Sequence, residues 1–128
     1  MTAKPLIAAA ALAACLAAPA ARAADAPRQC FFTRDIQNYR ASDDERALYL
    51  RVGVNQIYRI DFANQCVGLS FESNHIALQT TPGSVTVCSP IDLDVRVSSH
   101  GAGAPCIVKG LHKLTPEEAA ALPKTDRP

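Results

Sequence analysis

Four cysteines, Cys30, Cys66, Cys88 and Cys106, are spread through the body of this 128-residue chain, behind an N-terminal segment that reads as an export signal. An even set of widely spaced cysteines in a small exported domain predicts two disulfides. That prediction limits the chain to a small stapled fold in an oxidising compartment. It specifies no activity.

The export signal is assigned to residues 1–23. Lys4 supplies the positive start, residues 5–18 are an Ala- and Leu-rich apolar stretch, and Pro19 breaks it. Ala21-Arg22-Ala23 then offers the small-x-small pattern of a cleavage site. The stretch is shorter than the roughly 20 residues an ordinary transmembrane helix needs, and no transmembrane helix is expected in the mature chain. A competing pattern is Leu12-Ala13-Ala14-Cys15, which resembles a lipobox with Cys15 as the lipidated residue. The apolar run continues past Cys15 into the cleavage site, which favours a soluble periplasmic or secreted protein. An outer-membrane lipid anchor through Cys15 is the alternative.

Residues 24–29 read as a short linker, 30–114 as a disulfide-stabilised β domain, and 115–128 as a short helix with a frayed tail. Once Lys4 and Arg22 are removed, basic and acidic residues nearly balance and are scattered, apart from Asp43-Asp44-Glu45. Such a surface has no basic footprint for nucleic acid and no polybasic patch for anionic lipid.

Period-two alternation dominates the middle of the chain, the mark of half-buried strands. Leu48, Leu50, Val52 and Val54 fall on one face, with Tyr49, Arg51 and Gly53 on the other. A turn at 53–56 leads to a second strand carrying Ile57, Tyr58, Ile60 and Phe62. Residues 75–79 and 85–88 flank Pro82-Gly83, which predicts a hairpin. Residues 93–97 alternate cleanly, 98–105 form a Gly-containing loop, and 106–111 are a last extended segment. Residues 30–36 are assigned to the first strand. In the tail, Thr115 is a cap, Pro116 suits the first helical position, Glu117 and Glu118 favour the positive end of the dipole, and Pro123 stops the helix. The expected fold is mainly all-β: a small disulfide-stapled sandwich or partly open barrel of about six strands with a short C-terminal helix.

Four cysteines allow three pairings. The hairpin at Pro82-Gly83 would set Cys88 opposite His75 or Asn74, near the segment that follows Cys66. Cys66–Cys88 with Cys30–Cys106 is therefore the expected arrangement, and Cys30–Cys66 with Cys88–Cys106 the alternative.

Each candidate chemistry has a plainer structural explanation. There is no Cys-x-x-Cys pair to poise redox exchange. Cys88, His100, Cys106 and His112 are zinc- or copper-compatible residue types, but their spacing matches no known zinc pattern and oxidised cysteines are not thiolate ligands. Ser98, Ser99 and His100 are adjacent without the glycine pattern of a nucleophile elbow. His75 and His112 lie on or beside strand edges. Asp92 and Asp94, two apart in an expected strand, would share one face and could act as an acid–base or cation-binding pair; a solvated outer strand face opposite Leu93 and Val95 is the preferred explanation. Turn chemistry accounts for Asp43-Asp44-Glu45, since no calcium-type ligand spacing follows. No catalytic residue, metal ligand or cofactor is assigned.

Cys30 with Ile36 and Tyr39, Asp43-Asp44, Leu48-Tyr49-Leu50 and Tyr58-Arg59-Ile60-Asp61 form one pattern with the other cysteines. It continues through Cys66, Cys88 with Asp92, and Cys106-Ile107 to Leu111 and Leu114. The pattern resembles a family of small exported proteobacterial proteins, secreted or lipidated, built on a cysteine-containing domain of unknown function. The resemblance covers 30–114 and implies a compartment and a domain extent, with no activity or cofactor. The functional expectation is a non-enzymatic periplasmic module that binds a protein or other envelope component through its sheet face or loops. An inhibitor of an envelope-attacking hydrolase, using the loop at 98–105, is one version. The alternative is a small envelope enzyme or metal-handling protein using Asp92, Asp94 and a histidine.

Overall fold

In a computed structural model, residues 29–99 and 103–128 are described. Within them the alternating segments become strands, as expected. β1 (Phe31–Phe32) and β6 (Thr86–Val87) make a two-stranded ladder. β2 (Ile36–Ala41), β3 (Ala47–Val52), β4 (Gln56–Phe62) and β9 (Val108–Lys113) form a four-stranded sheet in the order β2-β3-β4-β9. β5 (His75–Thr80), β7 (Leu93–Ser98) and β8 (Ala104–Cys106) form a third sheet, ordered β5-β7-β8. All pairings are antiparallel, and the sheets pack as a small sandwich-like fold with no closed barrel.

The core follows from the alternation. In the β3–β4 hairpin, Leu48 lies opposite Ile60 and Leu50 opposite Tyr58, and all four side chains are fully buried. Val95 and Val97 from β7, Phe31 from β1 and Val87 from β6 complete the same cluster. Two details differ from the sequence reading. Val54 leaves the apolar face for the exposed turn, where Gly53 adopts a φ of 60°. Tyr49, expected on the solvent side, is only 5% exposed, because Pro123 and Asp126 of the C-terminal segment come over the outer face of β3 beside it.

The first strand is also shorter than expected. β1 holds two residues, a 3-10 turn follows at Thr33–Asp35, and the chain then enters β2. β2 escaped notice because residues 37–40 are all exposed on a sheet edge and show no alternation.

The largest correction concerns the hairpin. The turn itself forms: Ser84 N donates to Thr81 O, and Gly83 takes a φ of 87°. The flanking segments nevertheless do not pair with each other. β5 runs against β7 over six register positions, from His75–Ser98 to Thr80–Leu93. β6 pairs instead with β1, Phe31 opposite Val87 and Phe32 opposite Thr86. β7 offers β5 a full-length alternating partner whose Val95 and Val97 face the core, whereas β6 is two residues long. Length of ladder outweighed proximity in sequence.

Both expected disulfide arrangements fall with the hairpin. The bonds are Cys30–Cys88 and Cys66–Cys106. The β1–β6 register sets Cys30 and Cys88 opposite each other as the next pair of the ladder, with Cα atoms 4.2 Å apart. Cys66, in the turn after β4, reaches Cys106 at the end of β8 and joins two sheets. Two disulfides in a domain of this size suggest an oxidising, extracytoplasmic compartment. Among the described residues, no helix is long and apolar enough to cross a membrane.

The tail begins as its sequence dictates. α1 (Pro116–Ala121) is closed by a capping box in which Glu118 N donates to Thr115 Oγ1 and Thr115 N donates to Glu118 Oε2. Thr115→Ala is expected to reduce stability by about 1 kcal/mol in urea denaturation, the usual worth of an N-cap. Residues 124–128, expected to fray, instead turn back as a 3-10 element at Lys124–Asp126 with Asp126 buried. Arg127 holds that return by donating to Leu122 O at 3.0 Å and Ala120 O at 2.7 Å.

Candidate functional site

Among the outer strands of the two larger sheets, β2 and β5 border the same cleft. β2 pairs only with β3, and β5 only with β7. Thr33, Ile36, Asn38 and Tyr39 line one side of the seam between them, and Ile76 and Leu78 the other, around a volume of about 320 Å³. Towards the loop after Leu69 the seam widens to about 680 Å³, bounded by residues 38–41 of β2, the loop residues Leu69 to Glu72, and Lys124, Thr125 and Arg127 of the returning tail.

The floor and rim differ in character. Ile36, Ala41, Ile76 and Leu78 are half-buried and pack against the core, so the floor is the apolar interior reaching the surface. Tyr39, 40% exposed, and Phe71, 63% exposed, stand at the rim. The β2 edge is partly blunted. The register breaks between Ile36 and Asn38, and Tyr39 N donates to the side-chain Oδ1 of Asn38 at 2.9 Å. Bulges and local side-chain caps of this kind restrict indiscriminate strand pairing.

The loop wall of the cleft hangs on Glu45. This residue sits in the turn between β2 and β3 at a φ of 55° and is 7% exposed. Its Oε1 accepts from Gly68 N at 3.0 Å, Ser70 N at 3.2 Å and Ser70 Oγ at 2.8 Å. Its Oε2 accepts from Gln65 Nε2 at 3.1 Å. Burial pushes the Glu45 carboxyl upward, but the donors from Ser70, Gln65 and Gly68 outweigh it and hold the group below its ordinary value. Asn74 adds a bond from Nδ2 to Gly68 O at 2.8 Å, folding the loop onto the same glycine. Turn chemistry, the sequence explanation for this acidic run, does fit Asp44, which accepts from Ser42 Oγ and Arg46 N. Glu45 was missed as an anchor because its donors lie 20 to 25 residues away in sequence.

Those residues singled out for chemistry that the structure describes do not converge. Asp92 and Asp94 do not share a strand face. Ser89 and Pro90 start a 3-10 turn at Pro90–Asp92, so the strand begins only at Leu93. Asp92 Oδ2 accepts from Cys88 N, Ser89 N and Ser89 Oγ and holds that turn. Asp94 pairs along its own strand with Arg96 at 2.8 Å. His75 lies opposite Ser98 in the register, and His112 stands 3.4 Å from Asp61, which also receives Arg59 at 2.7 Å. Gly110 lies beside the pair, and a Cβ there would sit 3.0 Å from His112 Nε2 and 3.3 Å from Asp61 Oδ2. Cys88 and Cys106, from the zinc-compatible set, are oxidised in different disulfides. Among the described residues no group of three or more His, Cys, Asp or Glu is placed to hold a metal ion. His100, Cys15, the signal at 1–23 and most of the linker lie outside the described residues.

A model for a family of unknown function, DUF6491, matches residues 1–128. No curated protein and no solved structure matches the chain.

Proposed function

We propose that this chain, which belongs to the DUF6491 family of unknown function, is a non-enzymatic binding module of the cell envelope that takes an extended segment of another envelope protein along the β2–β5 seam. One observation carries the reading: two open strand edges flank a single cleft with an apolar floor. Backbone N–H and C=O groups on an open edge are a ready partner for an added strand, and alternate side chains of that strand give specificity. A segment lying in the seam would place every second side chain over Ile36, Ile76 and Leu78 and its flanks against Tyr39 and Phe71.

The proposed location is periplasmic or secreted, after removal of residues 1–23. The two disulfides and the composition of that segment favour it. Lipidation at Cys15, which would tether the same domain to the outer membrane, is the second destination. Mass measurement of the mature N-terminus distinguishes Ala24 from lipidated Cys15. The enzyme alternative through Asp92, Asp94 and a histidine has no convergent group among the described residues to rest on.

The binding reading is tested by screening a library of extended peptides against the isotopically labelled protein. Binding peptides are expected to shift the amides of residues 37–41 and 75–80. Tyr39→Asp is expected to weaken them about tenfold, the effect of losing one aromatic anchor. Peptides that bind elsewhere, or bind Tyr39→Asp unchanged, would remove the seam from consideration.

A further inference from the structure

We infer that Cys30–Cys88 is a thiol–disulfide exchange site, opened by an external dithiol on the folded domain while Cys66–Cys106 stays closed. Access separates the two bonds. Cys30 is exposed, whereas Cys66 is 3% exposed inside the core cluster; Cys88 and Cys106 are both half-buried, so the difference lies between Cys30 and Cys66. Loop length does not separate them: closures over 58 and 40 residues differ by less than about twofold in equilibrium constant on the loop-entropy model.

The surrounding structure tolerates opening at one bond and resists it at the other. β1 and β6 are joined by only two register pairs, with one more bond from Thr33 N to Val85 O. β1 keeps a second anchor after the bond is lost, because Phe31 is buried with its ring 4.6 Å from that of Tyr58. Backbone bonds hold both ends of Cys30–Cys88, Cys88 N donating to Asp92 Oδ2 and Cys30 O accepting from Tyr58 OH. Cys66, however, is buried as well as held, its N donating to Glu45 O and its O accepting from Leu69 N. Exposing its sulfur requires disturbing the loop that Glu45 holds. Local opening of a short peripheral ladder lies at the low end of the free-energy range, and opening of the core at the high end.

A thiolate of the dithiol attacks Sγ of Cys30, the Cys30–Cys88 bond breaks, and its electron pair leaves on Cys88 Sγ, which takes a proton. The second thiol, deprotonated, attacks the mixed disulfide and expels the Cys30 thiolate, which takes a proton in turn. Two electrons pass from the dithiol, which leaves as its own disulfide, to the protein, which keeps two thiols. The inference does not depend on what the seam binds.

The experiment uses the intact protein and dithiothreitol, with acid quench, alkylation, peptide mass mapping and near-UV circular dichroism. A species labelled at Cys30 and Cys88 alone is expected to form at least tenfold faster than any label at Cys66 or Cys106, with the near-UV signal retained. Labelling of all four together, labelling of Cys66 and Cys106 first, or loss of the signal with the first bond would overturn the inference. Cys30→Ala/Cys88→Ala is expected to stay folded and to keep its remaining bond under the same reductant; an unfolded variant counts equally against it.

Discussion

Replacing Cys66 and Cys106 together by alanine is expected to lower the unfolding free energy by about 5 kcal/mol. Closing a loop over 40 residues removes unfolded-state entropy worth about 4 kcal/mol. Taking the Cys66 sulfur out of the core adds about 1 kcal/mol in lost apolar burial. Total stabilities of single domains are about 5–15 kcal/mol, so this variant stands near the edge of folding. In a domain of this size the loss corresponds to a fall in Tm of roughly 20–30 °C. Urea denaturation of both double variants checks the size and the ordering. Cys30→Ala/Cys88→Ala loses a comparable loop term without emptying a core position and should retain more stability. The two bonds interleave along the chain, so each still constrains part of the other's loop. A loss under about 2 kcal/mol for Cys66→Ala/Cys106→Ala would mean that Cys30–Cys88 alone already restricts the unfolded ensemble.

What the sequence revealed and what it hid divide along physical lines. Alternation at 48–52, 57–62 and 93–97 marked β3, β4 and β7, because burial of every second side chain is written locally. Thr115, Pro116 and Glu118 marked α1 for the same reason: a cap and its reciprocal partner lie within one turn. Strand partnership is not written locally. Nothing in residues 75–80 says that they will meet 93–98 rather than 85–88, since that choice depends on the length of ladder each partner offers. The disulfide assignment inherited this ambiguity, and with the β1–β6 register known, Cys30–Cys88 follows directly. Tyr49 reads as a solvent-face residue because the element that covers it arrives from the far end of the chain. The seam was hidden most completely. It consists of two edges that lack partners, a property of the whole topology that no stretch of residues encodes.

The open seam and the folded loop beside it also explain why so polar an interior feature as Glu45 is present in a small core. Strands β2 and β5 can face each other across a cleft only if something else holds the region between β4 and β5 in place. Residues 63–74 contain no strand, and the loop's backbone N–H groups would otherwise be left to water or unpaired. One carboxylate gathers Gly68, Ser70 and Gln65, and Cys66–Cys106 pins the same stretch covalently. The wall of the proposed binding cleft is thus built from one carboxylate and one covalent bond, with little hydrophobic burial beyond Cys66 and Leu69.

Glu45→Ala is accordingly expected to lower stability by about 3–4 kcal/mol, because it strands the buried Gly68 N–H and the part-buried Ser70 N–H and hydroxyl, and the cost of unpaired donors exceeds the net worth of the bonds themselves. Glu45→Gln keeps an acceptor and should cost only about 1–2 kcal/mol, the difference between a charge-assisted bond and a neutral one. Glu45→Gly should stand about 1 kcal/mol above Glu45→Ala, since glycine accepts the left-handed backbone at φ 55° without a Cβ penalty. Acid separates the variants again. The folded carboxyl titrates below its ordinary value of 4.5, so its contribution is complete above that pH and is lost as pH falls through the folded value. The parent chain should therefore lose stability on acidification below about pH 4.5 more steeply than Glu45→Gln does, while the Asp44 share, also held low by Ser42 and Arg46, stays common to both. Hydrogen exchange gives the site-specific reading: the amides of Gly68 and Ser70 should lose protection in Glu45→Ala while those of Leu48 and Leu50 keep theirs. Unchanged protection at Gly68, together with a stability loss under 1 kcal/mol, would show that the loop holds its shape without the carboxylate.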